Sequence, residues 1–126
     1  MLRPLVIVAA LALSGCGTEP LRTIQEFFQP TKGRTALNAG LKQYEDGEYA
    51  ASLKNLLSAI DQGLAESDRV TAHKHVAFIH CASNRERQCR EEFRKALAVD
   101  PALDLAPEEA GHPLWGPVFR SVKAGR

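Results

Sequence analysis

Three histidines and one cysteine close together on a predicted helix are the residues of this chain that could do chemistry. They are His73, His75, His80 and Cys81. Nitrogen and sulfur ligands of this kind suit zinc. His73 and His80 are seven residues apart and share a helical face, but His75 points elsewhere, so three ligands do not converge. We therefore predict no metal site.

Cysteine catalysis is also disfavoured. A cysteine nucleophile needs a nearby base and a depressed pKa. His80 adjoins Cys81, but neighbours on a helix point about 100° apart. The chain has no phosphate-binding loop and no Gly-x-Ser-x-Gly elbow. Glu91-Glu92 and Glu108-Glu109 are adjacent pairs, which we interpret as solvated charge. We predict no catalytic residue and no cofactor, and therefore a binding module rather than an enzyme.

The first sixteen residues have the layout of a secretory signal. Arg3 precedes nine apolar residues, Leu5 to Leu13, which are too few to cross a bilayer as a helix. The sequence Leu13-Ser14-Gly15-Cys16 resembles the lipobox of bacterial lipoproteins. That resemblance implies a signal peptide over 1–15 and a lipid on Cys16 that anchors the protein to a membrane. The alternative is an ordinary cleaved signal with an incidental cysteine.

Charge and cysteine content fit an exported protein. The full chain has 16 basic and 15 acidic residues, so the part that follows Arg3 is neutral. Binding to nucleic acid needs a basic excess and is not predicted. Cys81 and Cys89 form an even pair in an oxidising compartment. Cys81 lies near the end of one predicted helix and Cys89 near the start of the next, so we predict a disulfide between them. The alternative is two buried thiols.

Helical periodicity dominates the chain after a tether over 16–32. Within the tether, apolar residues recur at helical spacing: Leu21, Ile24, Phe27 and Phe28. This pattern predicts a short helix that packs on the domain, or else an extended linker. The domain is predicted over 33–126, and its first four helices are predicted at Thr35–Asp46, Tyr49–Gln62, Asp68–Ser83 and Glu86–Val99.

These four helices form two hairpins that fit the tetratricopeptide pattern. Small residues fall where the helices must cross, and larger ones fall where a side chain must fill the groove between them. The first unit contains Gly40, Gly47, Tyr49, Ser52, Leu56 and Ala59; the second contains Ala77, Cys89, Phe93, Ala96 and Pro101. The two registers differ by 37 residues where the motif period is 34, so we expect three extra residues in the loop between the units.

Two such repeats need a further element to complete a core, because about three are required. Pro113 or Pro117 could open a last helix with an apolar stripe that includes Trp115. We therefore predict an all-α fold, an array of two tetratricopeptide-like helical hairpins with a C-terminal capping helix. We expect this helix to bury part of Trp115. The alternative is that Trp115 belongs to an exposed patch that binds a partner.

Two blocks of sequence resemble a known family. They are His75–Leu97, which contains Cys81, Asn84-Arg85 and Cys89, and Asp100–Val118, which contains Gly111-His112-Pro113-Leu114-Trp115-Gly116-Pro117. They are similar to the type VI secretion-associated lipoproteins with tetratricopeptide repeats (the TssQ type). The resemblance implies an accessory lipoprotein of a contractile secretion machine, and we expect it on the outer membrane, facing the periplasm. The alternative is a cell-envelope repeat lipoprotein that regulates or recruits a cell-wall enzyme.

The first helix of each hairpin lines the inner surface of such arrays and is where we expect protein partners to bind. An apolar surface with a few polar groups suits a helix or an extended peptide in a groove. The alternative is that Leu41, Tyr44 and Phe78 are core, covered by neighbouring helices. The candidate partner-binding residues, together with Trp115, are Leu37, Leu41, Tyr44, Lys74, His75 and Phe78.

Overall fold

The computed structural model describes residues 32–126, which form six α-helices and no strand. Cys16 and the predicted helix of the tether lie outside the described residues. The all-α class is confirmed. None of the helices in 32–126 is long and apolar enough to cross a membrane. The helices are α1 (Arg34–Glu45), α2 (Tyr49–Gln62), α3 (Glu66–Ala82), α4 (Glu86–Val99), α5 (Pro107–Ala110) and α6 (Gly116–Lys123).

The two hairpins repeat each other with the predicted offset of 37 residues. Tyr49 begins α2 and Glu86, 37 positions later, begins α4, and both helices are 14 residues long. The turn before each helix contains a residue with positive φ, Gly47 at 77° and Asn84 at 64°. Glycine and asparagine are the residues that adopt this left-handed conformation most readily. The turns therefore follow directly from the sequence.

Small residues allow the helices of each hairpin to approach closely. A Cβ atom at Gly40 would lie 2.8 Å from Cγ of Leu56. The hydroxyl of Ser52 donates a 2.6 Å hydrogen bond to the Gly40 carbonyl. In the second hairpin Ala77 and Cys89 occupy the equivalent positions and are fully buried. The crossing predicted from the repeat pattern is confirmed.

The connection between the hairpins differs from the prediction. Helix α3 begins at Glu66 rather than Asp68 and has 17 residues, against 12 in α1. Glu66 and Asp68 lie in its first turn, where acidic side chains interact favourably with the helix dipole. The residues by which the 37-residue offset exceeds the 34-residue period therefore lie mainly in helix α3 and not in the loop before it.

Two groups of buried side chains form the core. One joins α1, α2 and one side of α3 around Leu56 and Val76. The other joins α3, α4 and the C-terminal segment around Phe78 and Phe93. Tyr44 packs against both groups, so the core is continuous through its ring.

The C-terminal segment closes the array as predicted. Pro117 lies in the first turn of α6, where its missing N–H costs nothing. Trp115, just before α6, is 8% exposed, and its ring stacks on Phe78 with centroids 4.4 Å apart. Phe119 packs edge-on against Phe93 at 5.2 Å. The short helix α5 was not predicted; it begins at Pro107, and its Glu109 side chain accepts a hydrogen bond from the N–H of Ala106.

Candidate partner-binding face

Three of the seven candidate partner-binding residues belong to the core. Leu37 is 2% exposed and Phe78 is 1% exposed. Leu37 packs with Leu56 of α2, and Phe78 lies between Phe93 and the ring of Trp115. The assignment of Leu37, Phe78 and Trp115 to a partner surface is therefore wrong. Neighbouring helices cover them, which was the alternative that the sequence left open for Phe78 and Trp115 but not for Leu37.

The other four candidates remain accessible and lie on α1 and α3, which contact each other directly. We call Leu41, Tyr44, Lys74 and His75 the inner face. All four are half-buried. The rings of Tyr44 and His75 meet edge to face with centroids 5.0 Å apart, so α1 and α3 present one joined aromatic surface. Burial raises the pKa of Tyr44 to about 12, so its hydroxyl keeps its proton.

His75 is held in one orientation and one tautomer. Its Nδ1 lies 2.8 Å from the carbonyl oxygen of Thr71. A carbonyl only accepts, so Nδ1 donates and Nε2 is left as an acceptor in the neutral ring. Burial lowers the pKa of His75, which favours that neutral form. The inner face therefore offers a fixed acceptor beside the Tyr44 ring.

Lys74 connects the inner face to the C-terminal segment. Its Nζ lies 3.0 Å from a carboxylate oxygen of Glu109, and both side chains are about one-fifth exposed. The backbone carbonyl of Glu109 also accepts a 2.9 Å hydrogen bond from the indole N–H of Trp115. Glu109 is therefore a structural partner, and the interpretation of Glu108-Glu109 as solvated charge holds only for the exposed Glu108. Lys74 is neutralised and does not give the inner face a free positive charge.

His73, considered above as a zinc ligand, belongs instead to a buried polar cluster. Its Nδ1 lies 2.6 Å from Glu92, whose other carboxylate oxygen lies 2.9 Å from Nζ of Lys95. Burial alone would raise the pKa of Glu92, but these two partners outweigh it and the pKa lies below its usual value. Glu92 is 7% exposed, so the interpretation of Glu91-Glu92 as solvated charge is wrong for this residue.

The other side chains considered as metal ligands or nucleophiles also have partners within the protein. Cys81 and Cys89 are joined in a disulfide, with Cα atoms 5.3 Å apart. Nδ1 of His80 accepts a 2.9 Å hydrogen bond from Nε of Arg85. Within residues 32–126, no group of three His, Cys, Asp or Glu side chains could hold a metal ion. The inner face is thus an arrangement in this part of the chain with accessible apolar and polar groups side by side.

Comparison with known proteins supports the repeat fold but assigns no family. No protein-family model matches the chain, and no solved structure gives a significant match. Among curated proteins, the chain is similar to the photosystem I assembly protein Ycf3 of Synechococcus sp. (strain CC9605), with 34% identity over 79 residues. The similarity covers 61% of this chain and 46% of that protein, so the chain spans less than half of the relative's length. Together with the all-helical structure, it supports a helical-repeat fold.

Proposed function

We propose that the protein is a non-enzymatic lipoprotein scaffold, anchored to the outer membrane through Cys16, that serves as an accessory of a type VI secretion system. It binds a protein of the secretion apparatus on its inner face. The lipobox supports the membrane anchor, and the family resemblance over His75–Val118 supports the association with a secretion system. The helical-hairpin array supports the role as a scaffold.

The observation that carries the proposed role is the joined surface of Tyr44 and His75. Two helices from different hairpins contribute it, and the shared packing of Tyr44 fixes their relative position. Leu41 adds apolar area beside it. A rigid surface of this kind suits an amphipathic helix or an extended segment, since little conformational entropy is lost on its side of the complex.

Four of the reactive side chains have partners within the protein, which supports a role without catalysis. The disulfide leaves neither Cys81 nor Cys89 as a thiolate. His73 is engaged by Glu92, and His80 by Arg85. These four side chains are therefore not available as a nucleophile and base pair.

Affinity purification of the tagged full-length protein from membranes of its source bacterium tests the proposal. Two leucine variants form a matched pair: Leu41→Gln on the inner face and Leu57→Gln at an exposed position of α2. Because the inner face holds the partner, we expect components of the secretion apparatus to co-purify with the wild type and Leu57→Gln but not with Leu41→Gln. Thermal melting of both variants controls for folding.

The identity of the co-purified protein decides between the two envelope roles. If the protein that co-purifies with the wild type and is lost with Leu41→Gln is a cell-wall enzyme, the regulatory role replaces the secretion role. Partners retained equally by both variants would refute the inner face as the binding surface.

A further inference from the structure

A second concave site lies between α2 and α3, and it shares no residue with the inner face. We call it the α2–α3 pocket. It has a volume of about 440 Å³, within the range of small-ligand sites. Leu53 and Ala50 supply its accessible apolar surface, since Ile79 is buried. Its polar lining residues are Tyr49, His80, Ser83 and Arg85.

The pocket has a positive charge and no negative one. Its lining includes Arg85 but no Asp or Glu side chain. No carboxylate within residues 32–126 forms an ion pair with Arg85. The neighbouring Glu86 pairs with Arg90 instead, and Nε of Arg90 lies 3.1 Å from a carboxylate oxygen of Glu86. The guanidinium therefore lies at an apolar pocket without a counter-charge from this part of the chain.

His80 fixes the direction of that guanidinium. The Nε–H of Arg85 donates to Nδ1 of His80 at 2.9 Å. Burial and the charge of Arg85 lower the pKa of His80, which keeps the ring neutral with its proton on Nε2. The two Nη groups of Arg85 stay available for a ligand. The hydroxyls of Ser83 and Tyr49 are further donors, so the pocket is rich in donors.

We propose that the α2–α3 pocket binds a carboxylate carried by an aliphatic group, with the carboxylate on Arg85 and the aliphatic group on Leu53 and Ala50. A planar guanidinium matches a carboxylate through two parallel hydrogen bonds. The apolar residues select against anions without an apolar body. The ligand is either the C-terminal residue of a partner protein or a free aliphatic carboxylic acid. The site goes beyond the proposed function and shares no lining residue with the inner face, although the rings of Tyr49 and Tyr44 lie 5.6 Å apart.

Titration of the purified full-length protein with N-acetyl-leucine, followed by amide NMR shifts, tests the site. The matched probe is N-acetyl-leucine amide, which has the same shape and no charge. We expect N-acetyl-leucine to shift the amides of Tyr49, Ser83 and Arg85, and the amide probe to bind at least about tenfold more weakly.

Two arginine variants form the protein control. Arg85→Gln should weaken binding by about tenfold or more. Arg87→Gln should leave binding unchanged, because Arg87 is 91% exposed and lies outside the pocket. Equal binding of both probes, no binding of either, or no effect of Arg85→Gln would overturn the proposal.

Two further probes complete the design. A hexapeptide that ends in leucine with a free carboxylate, binding more tightly than N-acetyl-leucine, would identify a protein C-terminus as the ligand. Equal affinity of the two would identify a free acid. Inorganic phosphate binding as well as N-acetyl-leucine would overturn the requirement for an aliphatic group.

Discussion

The ring of Trp115 stacks on the ring of Phe78, with centroids 4.4 Å apart and planes 22° from parallel. The indole N–H is satisfied by the carbonyl of Glu109, so the whole side chain is accommodated in the core. Because Phe78 belongs to α3, this contact fastens the C-terminal segment to the second hairpin. It removes both aromatic residues from the surface that a partner could reach.

Trp115→Ala should destabilise the domain strongly. Truncation of a large buried aromatic residue costs about 3 to 5 kcal/mol, which corresponds to a fall in melting temperature of more than about 10 °C for a domain of this size. The adjacent Leu114 is 51% exposed, so Leu114→Ala is the matched control and should change the melting temperature little. Equal melting temperatures for the two variants would contradict the role of Trp115 in the core.

Much of the fold follows from spacing in the sequence. The 37-residue offset predicts both hairpins because Gly40 and Ala77, or Ser52 and Cys89, must be small for helices to cross. The burial of Leu37 and Phe78 did not follow, because a residue on the first helix of a repeat faces either a groove or the next helix. That depends on how the units stack, which the sequence of one unit does not determine.

Glu92 was misread for a different reason. It was interpreted with its neighbour Glu91 as a charged pair, although Cys89, Glu92, Phe93 and Ala96 share one helical spacing. That spacing places Glu92 on the buried face of α4. Its partner His73 is 19 residues away, and only the hairpin brings the two together. A charged residue in a buried helical register is therefore a signal for a polar partner on the facing helix.

Glu92→Gln should destabilise the protein because it removes the charge of a buried carboxylate that contacts both His73 and Lys95. We expect a loss of about 3 kcal/mol in the free energy of unfolding, measured by urea denaturation at pH 7. Glu91→Gln is the control, since the Glu91 side chain is 52% exposed and its ion pair within residues 32–126 is with a surface arginine. A smaller loss in Glu92→Gln than in Glu91→Gln would count against the buried cluster.

The same carboxylate gives stability a dependence on acid pH. Because folding lowers the pKa of Glu92 from its usual value of 4.5, its contribution is present above pH 4.5 and is lost as the pH falls through the folded pKa. The unfolding free energy of the wild type should therefore fall more steeply below pH 4.5 than that of Glu92→Gln. Parallel curves would show that Glu92 does not carry this dependence.

The disulfide between Cys81 and Cys89 should stabilise the second hairpin. Its loop closes over a separation of 8 residues, which corresponds to about 2 to 3 kcal/mol. Alkylation of the exported protein under denaturing conditions, followed by mass spectrometry, should find neither cysteine modified until a reductant is added. Two alkylated thiols without reductant would show that the bridge does not form in the cell.

Lipidation of Cys16 is expected from the lipobox and lies outside the described residues. Cys16→Ser should abolish incorporation of a labelled fatty acid and move the protein from the membrane to the soluble fraction or leave it unprocessed. Density fractionation of the wild type should place it with the outer membrane. Membrane retention of Cys16→Ser, with no acyl label on the wild type, would rule out the lipid anchor.

Site-specific photo-crosslinking tests the central claim most directly, that the inner face binds a protein of the secretion apparatus. A photoreactive phenylalanine analogue replaces Leu41 on the inner face, or Leu57 on α2 as the control, in the full-length protein in its source bacterium. If the inner face holds this partner, irradiation should link position 41, and not position 57, to a single secretion component that mass spectrometry identifies. Crosslinks to that component from position 57 alone, or from neither position in cells with an active secretion system, would contradict the account.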